Sequence, residues 1–160
     1  MPLKVISGDI TEIDVDAIVN AANTSLQMGG GVCGAIFAAA GEERLQRACD
    51  NLAPIKTGEA VITLGFNLAK HIIHTASPVY QDGKHGEAEL LRSCYVNSLD
   101  LAKRHGCQSI AFPLISSGIY RYPKENALDV AMSTINEWLG NNEMDVTIVL
   151  FEKFEGEQAK

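Results

Sequence analysis

The chain has 160 residues, 46% of them hydrophobic and 21% charged, with a formal net charge of −7. That length suits one domain with one core, and that balance excludes a disordered chain. The excess of acid excludes a broad cationic face for nucleic acid or an anionic membrane, so any phosphate must be held locally by backbone N–H groups and helix N-termini.

Residues 3–7 read as a strand, followed by a turn at Gly8-Asp9-Ile10-Thr11 and a polar segment ending at Asp16. A second strand is expected over 17–20. The stretch from Asn20 to Gly31 is rich in Asn, Ser and Gly, which compete with regular ladders, and reads as loop. The Ala-rich run 32–40 predicts a helix, and a second helix follows Gly41 over 42–50.

Two β-branched segments, 59–64 and 71–76, flank Gly65-Phe66-Asn67 and predict a hairpin or neighbouring pair. The longest amphipathic pattern runs over 87–105, with Leu90, Leu91, Cys94, Tyr95, Ser98, Leu99 and Ala102 at helical spacing. The apolar run 109–115 predicts a strand buried on both faces. Pro123 opens a helix through about Leu139, at a position where proline is tolerated, and 146–151 is a last buried strand. Strands and helices interleave throughout, which argues for a sheet flanked by helices.

Cys33, Cys49, Cys94 and Cys107 are scattered with no Cys-x-x-Cys pair, so they are expected as reduced thiols packed in or near the core. No stretch approaches the ~20 apolar residues of a membrane-spanning helix, and Met1-Pro2-Leu3-Lys4 begins no apolar leader. The expected location is cytoplasmic. On a strand, the spacing of His71 and His74 puts them on opposite faces, so joint metal binding is not expected. His74 reads as a packed strand residue, His85 and His105 as exposed ones, and neither metal nor cofactor is expected.

Two loops carry the candidate chemistry, because each follows a strand and precedes a helix with glycine at the turn. The first is Met28-Gly29-Gly30-Gly31-Val32 and the second Ser116-Ser117-Gly118-Ile119-Tyr120. Two such loops can hold the two phosphates of a pyrophosphate. The run from Gly29 to Gly34 also matches G-x-G-x-x-G, but it lies too far from the end of a strand and has no acid at the end of the next strand, so a Rossmann site is rejected. No Gly-Lys-Ser/Thr and no G-x-S-x-G is present at either loop. Asn20 and Asn23 flank Ala21-Ala22 beside the first loop, where they either satisfy nearby backbone or orient a ribose.

Gly8-Asp9-Ile10-Thr11, Asp16 to Asn23, Gly29-Gly30-Gly31-Val32, His74-Thr75-Ala76-Ser77-Pro78 and Pro113 to Tyr120 with Tyr122-Pro123 together resemble the successive motifs of the macro domain family. The resemblance runs from Leu3 to about Phe154, and it is strongest to the branch that removes ADP-ribose from proteins or the acetyl group from O-acetyl-ADP-ribose. It implies an α/β fold, a three-layer α/β/α domain with a mixed central sheet. Separately, one domain over 1–160 is expected, as a monomer, with the charged 152–160 a frayed tail. The resemblance also implies that Asp9 accepts from the adenine amino group beside Ile10, with Phe151 stacked on the base. Gly30, Gly31 and Val32, with Ser116, Ser117, Gly118 and Ile119, would wrap the diphosphate, and Tyr120 and Asn23 would meet the distal ribose, Asn23 in a catalytic role; Asn20 stays a further candidate ligand residue.

One position departs from that pattern. The hydrolase branch typically carries Asp two residues after the last loop glycine, where it helps place the attacking water, and here the residue is Cys33. A protonated thiol is a poor substitute for a carboxylate base. Three readings follow: hydrolysis persists because the substrate's phosphate and Asn23 position the water; the domain binds ADP-ribose without cleaving it; or Cys33, at a helix N-terminus, is a reactive thiolate. The partner expected is ADP-ribose, an ADP-ribosylated protein or O-acetyl-ADP-ribose.

Overall fold

Side chains along the central strands divide alternately between two apolar clusters, and this alternation builds the architecture. The computed structural model describes residues 2–118 and 120–151, so Ile119 and the tail over 152–160 lie outside the described residues. The elements are β1 (Leu3–Gly8), a 3-10 turn (Ile10–Glu12), β2 (Ala17–Ala22), α1 (Gly31–Ala40), α2 (Glu42–Asp50), β3 (Ala60–Leu64), β4 (His71–Ala76), α3 (Glu87–Arg104), β5 (Ser109–Pro113), α4 (Lys124–Leu139) and β6 (Asp145–Phe151).

Ala17 and Val19 of β2, Ile110 and Phe112 of β5, and Val146 and Ile148 of β6 pack against Leu91, Tyr95 and Leu99 of α3 and Ala127, Ala131 and Ile135 of α4. Ile18, Ala22, Ile72, Ala111 and Val149 point the other way, onto Ile36, Phe37 and Ala40 of α1 and Leu45 and Cys49 of α2. The result is a three-layer α/β/α arrangement. Its sheet runs β1-β6-β5-β2-β4-β3, parallel throughout except for the antiparallel β3–β4 hairpin, and is therefore mixed, as expected.

All four cysteines are free and buried, in agreement with the expectation of packed thiols. Two boundaries moved by two residues. β2 runs to Ala22 because Ala21 and Ala22 pair with Thr75 and Ala76 of β4, whereas the sequence reading ended it at Asn20. β5 stops at Pro113, before Ile115. Asp9 starts a 3-10 turn by accepting at Oδ1 from Thr11 N (2.9 Å) and Thr11 Oγ1 (2.6 Å), an N-cap arrangement.

Candidate functional site

The sheet creates a crevice where strand order reverses. β2 and β5 are neighbours and parallel, yet β2 leads to α1 on one face while β5 leads to α4 on the other. Their outgoing loops therefore splay apart at the C-terminal ends of the strands, which is where open α/β sheets bind ligands. β1 and β6 end on the same side.

One stretch of this crevice is a cleft lined by Gly8, Asp9, Ile10, Val32, Ala35, Pro113, Val149 and Phe151. It gathers the ends of three strands and the first turn of α1. Four residues singled out from the sequence meet here: Asp9, Ile10, Val32 and Phe151. Asp9 spends one carboxylate oxygen on its turn and makes no described bond through the other. Phe151 keeps 38% of its surface exposed at the end of β6, so its ring is not absorbed by the core.

The first loop delivers an anion-binding helix end. Gly30 caps α1 without a side-chain hydrogen bond, and the amides of Gly31, Val32 and Cys33 meet no acceptor among the described residues. Such N–H groups, at the positive end of the helix dipole, attract phosphate. Gly31 has φ +58°, a left-handed conformation that favours glycine. Asn23 folds the loop onto itself: its Oδ1 accepts from Gln27 N (3.0 Å) and Ser25 Oγ (2.9 Å), and its Nδ2 donates to Gln27 O (3.1 Å).

The second loop is held from outside. Ser116 adopts φ +69°, strained for a residue with a Cβ, and is kept there by Oγ donating to Pro78 O (2.7 Å) and its carbonyl accepting from Tyr122 N (2.8 Å). Ser117 turns its hydroxyl to Leu114 O (2.8 Å), Gly118 is exposed, and the Tyr120 carbonyl accepts from Tyr80 N (2.9 Å).

Two expected site residues sit elsewhere. Asn20 is 1% exposed, in mid-strand rather than at a strand end, with its side chain under α1 and α2; its Nδ2 donates to His74 Nδ1 (3.1 Å). It belongs to a buried polar chain in which His74 Nε2 lies 3.1 Å from Thr63 Oγ1, and burial pushes the His74 imidazole down to about 4. Cys33 is 9% exposed and falls on the buried stripe of α1 with Ile36, Phe37 and Ala40, while Val32 and Ala35 face the cleft. It makes no side-chain hydrogen bond to a described residue. Nearby Cys49 is pushed up to about 12, chiefly by burial.

His71 and His74 do part to different surroundings: the ring of His71 meets that of His105 edge-on at 5.6 Å, while His74 is buried. Among the described residues the one group with metal-ligand proximity is Asp82, His85 and Glu87, and its oxygens already accept the hydrogen bonds that fold the 77–86 loop.

Two positioning roles are not legible in the sequence. Gln46 of α2 clamps the first loop, accepting from Met28 N (2.9 Å) and donating to Leu26 O (2.9 Å). Gly34 lets that loop lie against α1, since a Cβ there would stand 2.7 Å from Gly29 O. Neither carries a local signal: a polar residue on a helix face and a glycine in an Ala-rich run look ordinary until the partner element is in place.

A family model described as Macro domain matches residues 19–131. A Macro domain-containing protein of Mesorhizobium japonicum is 53% identical over 92% of this chain and 84% of its own length. The chain belongs to the macro domain family. A protein of Escherichia fergusonii named O-acetyl-ADP-ribose deacetylase is 49% identical to this macro domain, over 86% of the chain and 80% of its own length. Among solved structures, a variant of the Oceanobacillus iheyensis macrodomain with ADP-ribose matches with a TM-score of 0.88 and 41% identity, covering 99% of this chain and 94% of that one. The crevice of this macro domain thus lies on a frame shared at high similarity with a nucleotide-bound relative.

Proposed function

We propose that this macro domain binds ADP-ribose along the crevice and hydrolyses its conjugates, either mono-ADP-ribosylated protein or O-acetyl-ADP-ribose, with a positioned water at the distal ribose. The observation that carries the reading is the cleft that runs from Asp9 and Phe151 to Val32, at the uncapped first turn of α1. An adenine ring between Asp9, Ile10 and Phe151 meets a carboxylate oxygen able to accept from its amino group and an exposed aromatic face worth ~1–3 kcal/mol of stacking. The diphosphate then lies between Gly30, Gly31 and Val32 on one side and Ser116, Ser117, Gly118 and Ile119 on the other, with the distal ribose toward Tyr120 and Asn23. Ile119 enters by its place in the loop, since it lies outside the described residues. The bound relative and the relative named as a deacetylase support ligand and reaction respectively.

With Cys33 turned inward, no side-chain base faces the cleft from that position. The rate then comes from orientation: the ligand's own phosphate and Asn23 hold the water against the reacting carbon. That same inward packing favours a second reading, a module that binds ADP-ribose without cleaving it. Calorimetry tests binding, and absence of binding at millimolar ADP-ribose overturns both readings. Incubation with each conjugate separates them, because product release supports hydrolysis and tight binding without product establishes the reader. Asn23→Ala is expected to abolish turnover, while Cys33→Ala should keep turnover within about threefold and cost on the order of 1 kcal/mol of stability.

A further inference from the structure

The loop over 77–86 joins β4 to α3 and touches the second crevice loop at three points. Ser116 Oγ donates to Pro78 O at 2.7 Å, Tyr80 N donates to Tyr120 O at 2.9 Å, and the rings of Tyr80 and Tyr122 lie 4.9 Å apart. The far end of the same loop is closed on one carboxylate. Glu87, the first residue of α3, is 2% exposed. Its Oε2 accepts from the backbone N–H groups of Gln81 (2.9 Å), Asp82 (3.1 Å) and Gly83 (3.1 Å), and its Oε1 from that of His85 (2.7 Å).

The N–H of Gln81, foremost, and those of its neighbours hold the Glu87 carboxyl down to about 2, so it is ionised throughout the neutral range. A carboxylate satisfying four main-chain donors makes the segment a stiff bracket, because charge-assisted bonds are stronger than neutral ones. The bracket's other arm is Tyr80, immediately before Gln81, and Tyr80 is the residue that meets Tyr120 and Tyr122.

We infer that Glu87 is a positioning residue for the second crevice loop: by closing 81–85 on its carboxylate it presents Tyr80 to Tyr120 and Tyr122, and so presets Ser116, Ser117 and Gly118 for an anion. That the anion is the diphosphate of ADP-ribose rests on the function proposed above. The strained Ser116 backbone fits this role, since a conformation of that kind persists only when its surroundings over-determine it.

Glu87→Gln keeps the side chain's size and replaces one acceptor with a donor facing a backbone N–H. Hydrogen exchange followed by mass spectrometry should show faster exchange over 80–86 and also at Arg121 and Tyr122, whose amides donate to Gly118 and Ser116, with α1 and β2 unchanged. The dissociation constant for ADP-ribose should rise roughly tenfold. Faster exchange confined to 80–86 with unchanged affinity overturns the inference, and so does a uniform rise across the chain, which marks a general role in stability. If the unsubstituted protein fails to bind ADP-ribose, the ligand reading fails and the exchange pattern alone decides the role of Glu87. Should Glu87→Gln not fold, Tyr80→Leu leaves the carboxylate's bonds intact and removes the ring contact. It must quicken exchange at Tyr122 and weaken ADP-ribose, and no change in either overturns the inference.

Discussion

Gly30 and Gly34 are both loop-side glycines, yet they do opposite things. A Cβ at Gly30 meets nothing within 4 Å, and its φ of −88° suits any residue, so Gly30→Ala should leave thermal stability unchanged. Its added methyl would stand at the uncapped helix end, so ADP-ribose affinity should fall by roughly tenfold in calorimetry. At Gly34 the Cβ would stand 2.7 Å from the backbone oxygen of Gly29, and a backbone atom cannot swing aside. Gly34→Ala should therefore lower both the melting temperature and the affinity. Cys33 belongs to neither class, since it fills the core side of α1. A rise in turnover in Cys33→Asp would show that this position reaches the attacking water after all, and would overturn the view that orientation alone supplies the rate.

α3 was the most legible element, because its apolar positions recur at helical spacing and end at Arg104, one residue short of the expectation. What periodicity did not reveal is that α3 also braces the start of the second crevice loop. Tyr95, fully buried and 4.9 Å from the ring of Phe112, accepts at its hydroxyl from Ile115 N at 3.2 Å. Tyr95→Phe leaves that buried N–H without an acceptor, and denaturant unfolding should show a loss of about 1–3 kcal/mol. β2 was less legible. Ala21-Ala22-Asn23 looks like the beginning of a loop because alanine has weak strand preference, and only pairing with β4 carries the strand to Ala22. That extension of two residues puts Asn20 well inside the strand and Asn23 just past its end.

Stability of the assembled fold should fall toward acid in two steps with different causes. His74 has a folded pKa of about 4, below its ordinary 6.5, so the unfolded chain takes the proton first. Its neutral burial is fully compatible with folding above pH 6.5, and stability is lost between pH 6.5 and 4, by about 3 kcal/mol at the lower end. Glu87, held down to about 2 from 4.5, contributes stability above pH 4.5 that is lost as pH falls toward 2. The exposed His85, raised mainly by its hydrogen bond to Asp82, works in the opposite sense, strengthening its pair as it protonates. Urea unfolding across pH should show His74→Gln flattening the upper window and Glu87→Gln the lower one. A His74→Gln profile parallel to the parent's between pH 6.5 and 4 would remove His74 as the cause.

Amino-acid order was enough to place the interleaved strands and helices, the two glycine loops and the family, because those signals are local: side-chain period, turn chemistry and ordered motifs. Asp9, Ile10, Val32 and Phe151 were found in this way, and they do line one cleft. The direction of each remaining side chain was a different matter. Asn20 and Cys33 are polar or reactive residues beside a loop; Cys33 shares the helical spacing of Ile36, Phe37 and Ala40, but that this stripe is the one buried on the sheet, and that Asn20 meets His74, is set by elements distant in sequence. Which face a residue presents depends on where its strand ends and which stripe of its helix meets the sheet. Both are settled by pairing and packing with elements distant in sequence. The same holds for Gln46 and Glu87, whose value lies in backbone groups that only the folded chain brings within reach. The two glycine loops were thus visible as a place for phosphate, but the crevice between them exists only because β2 and β5, neighbours in the sheet, send their chains to opposite faces.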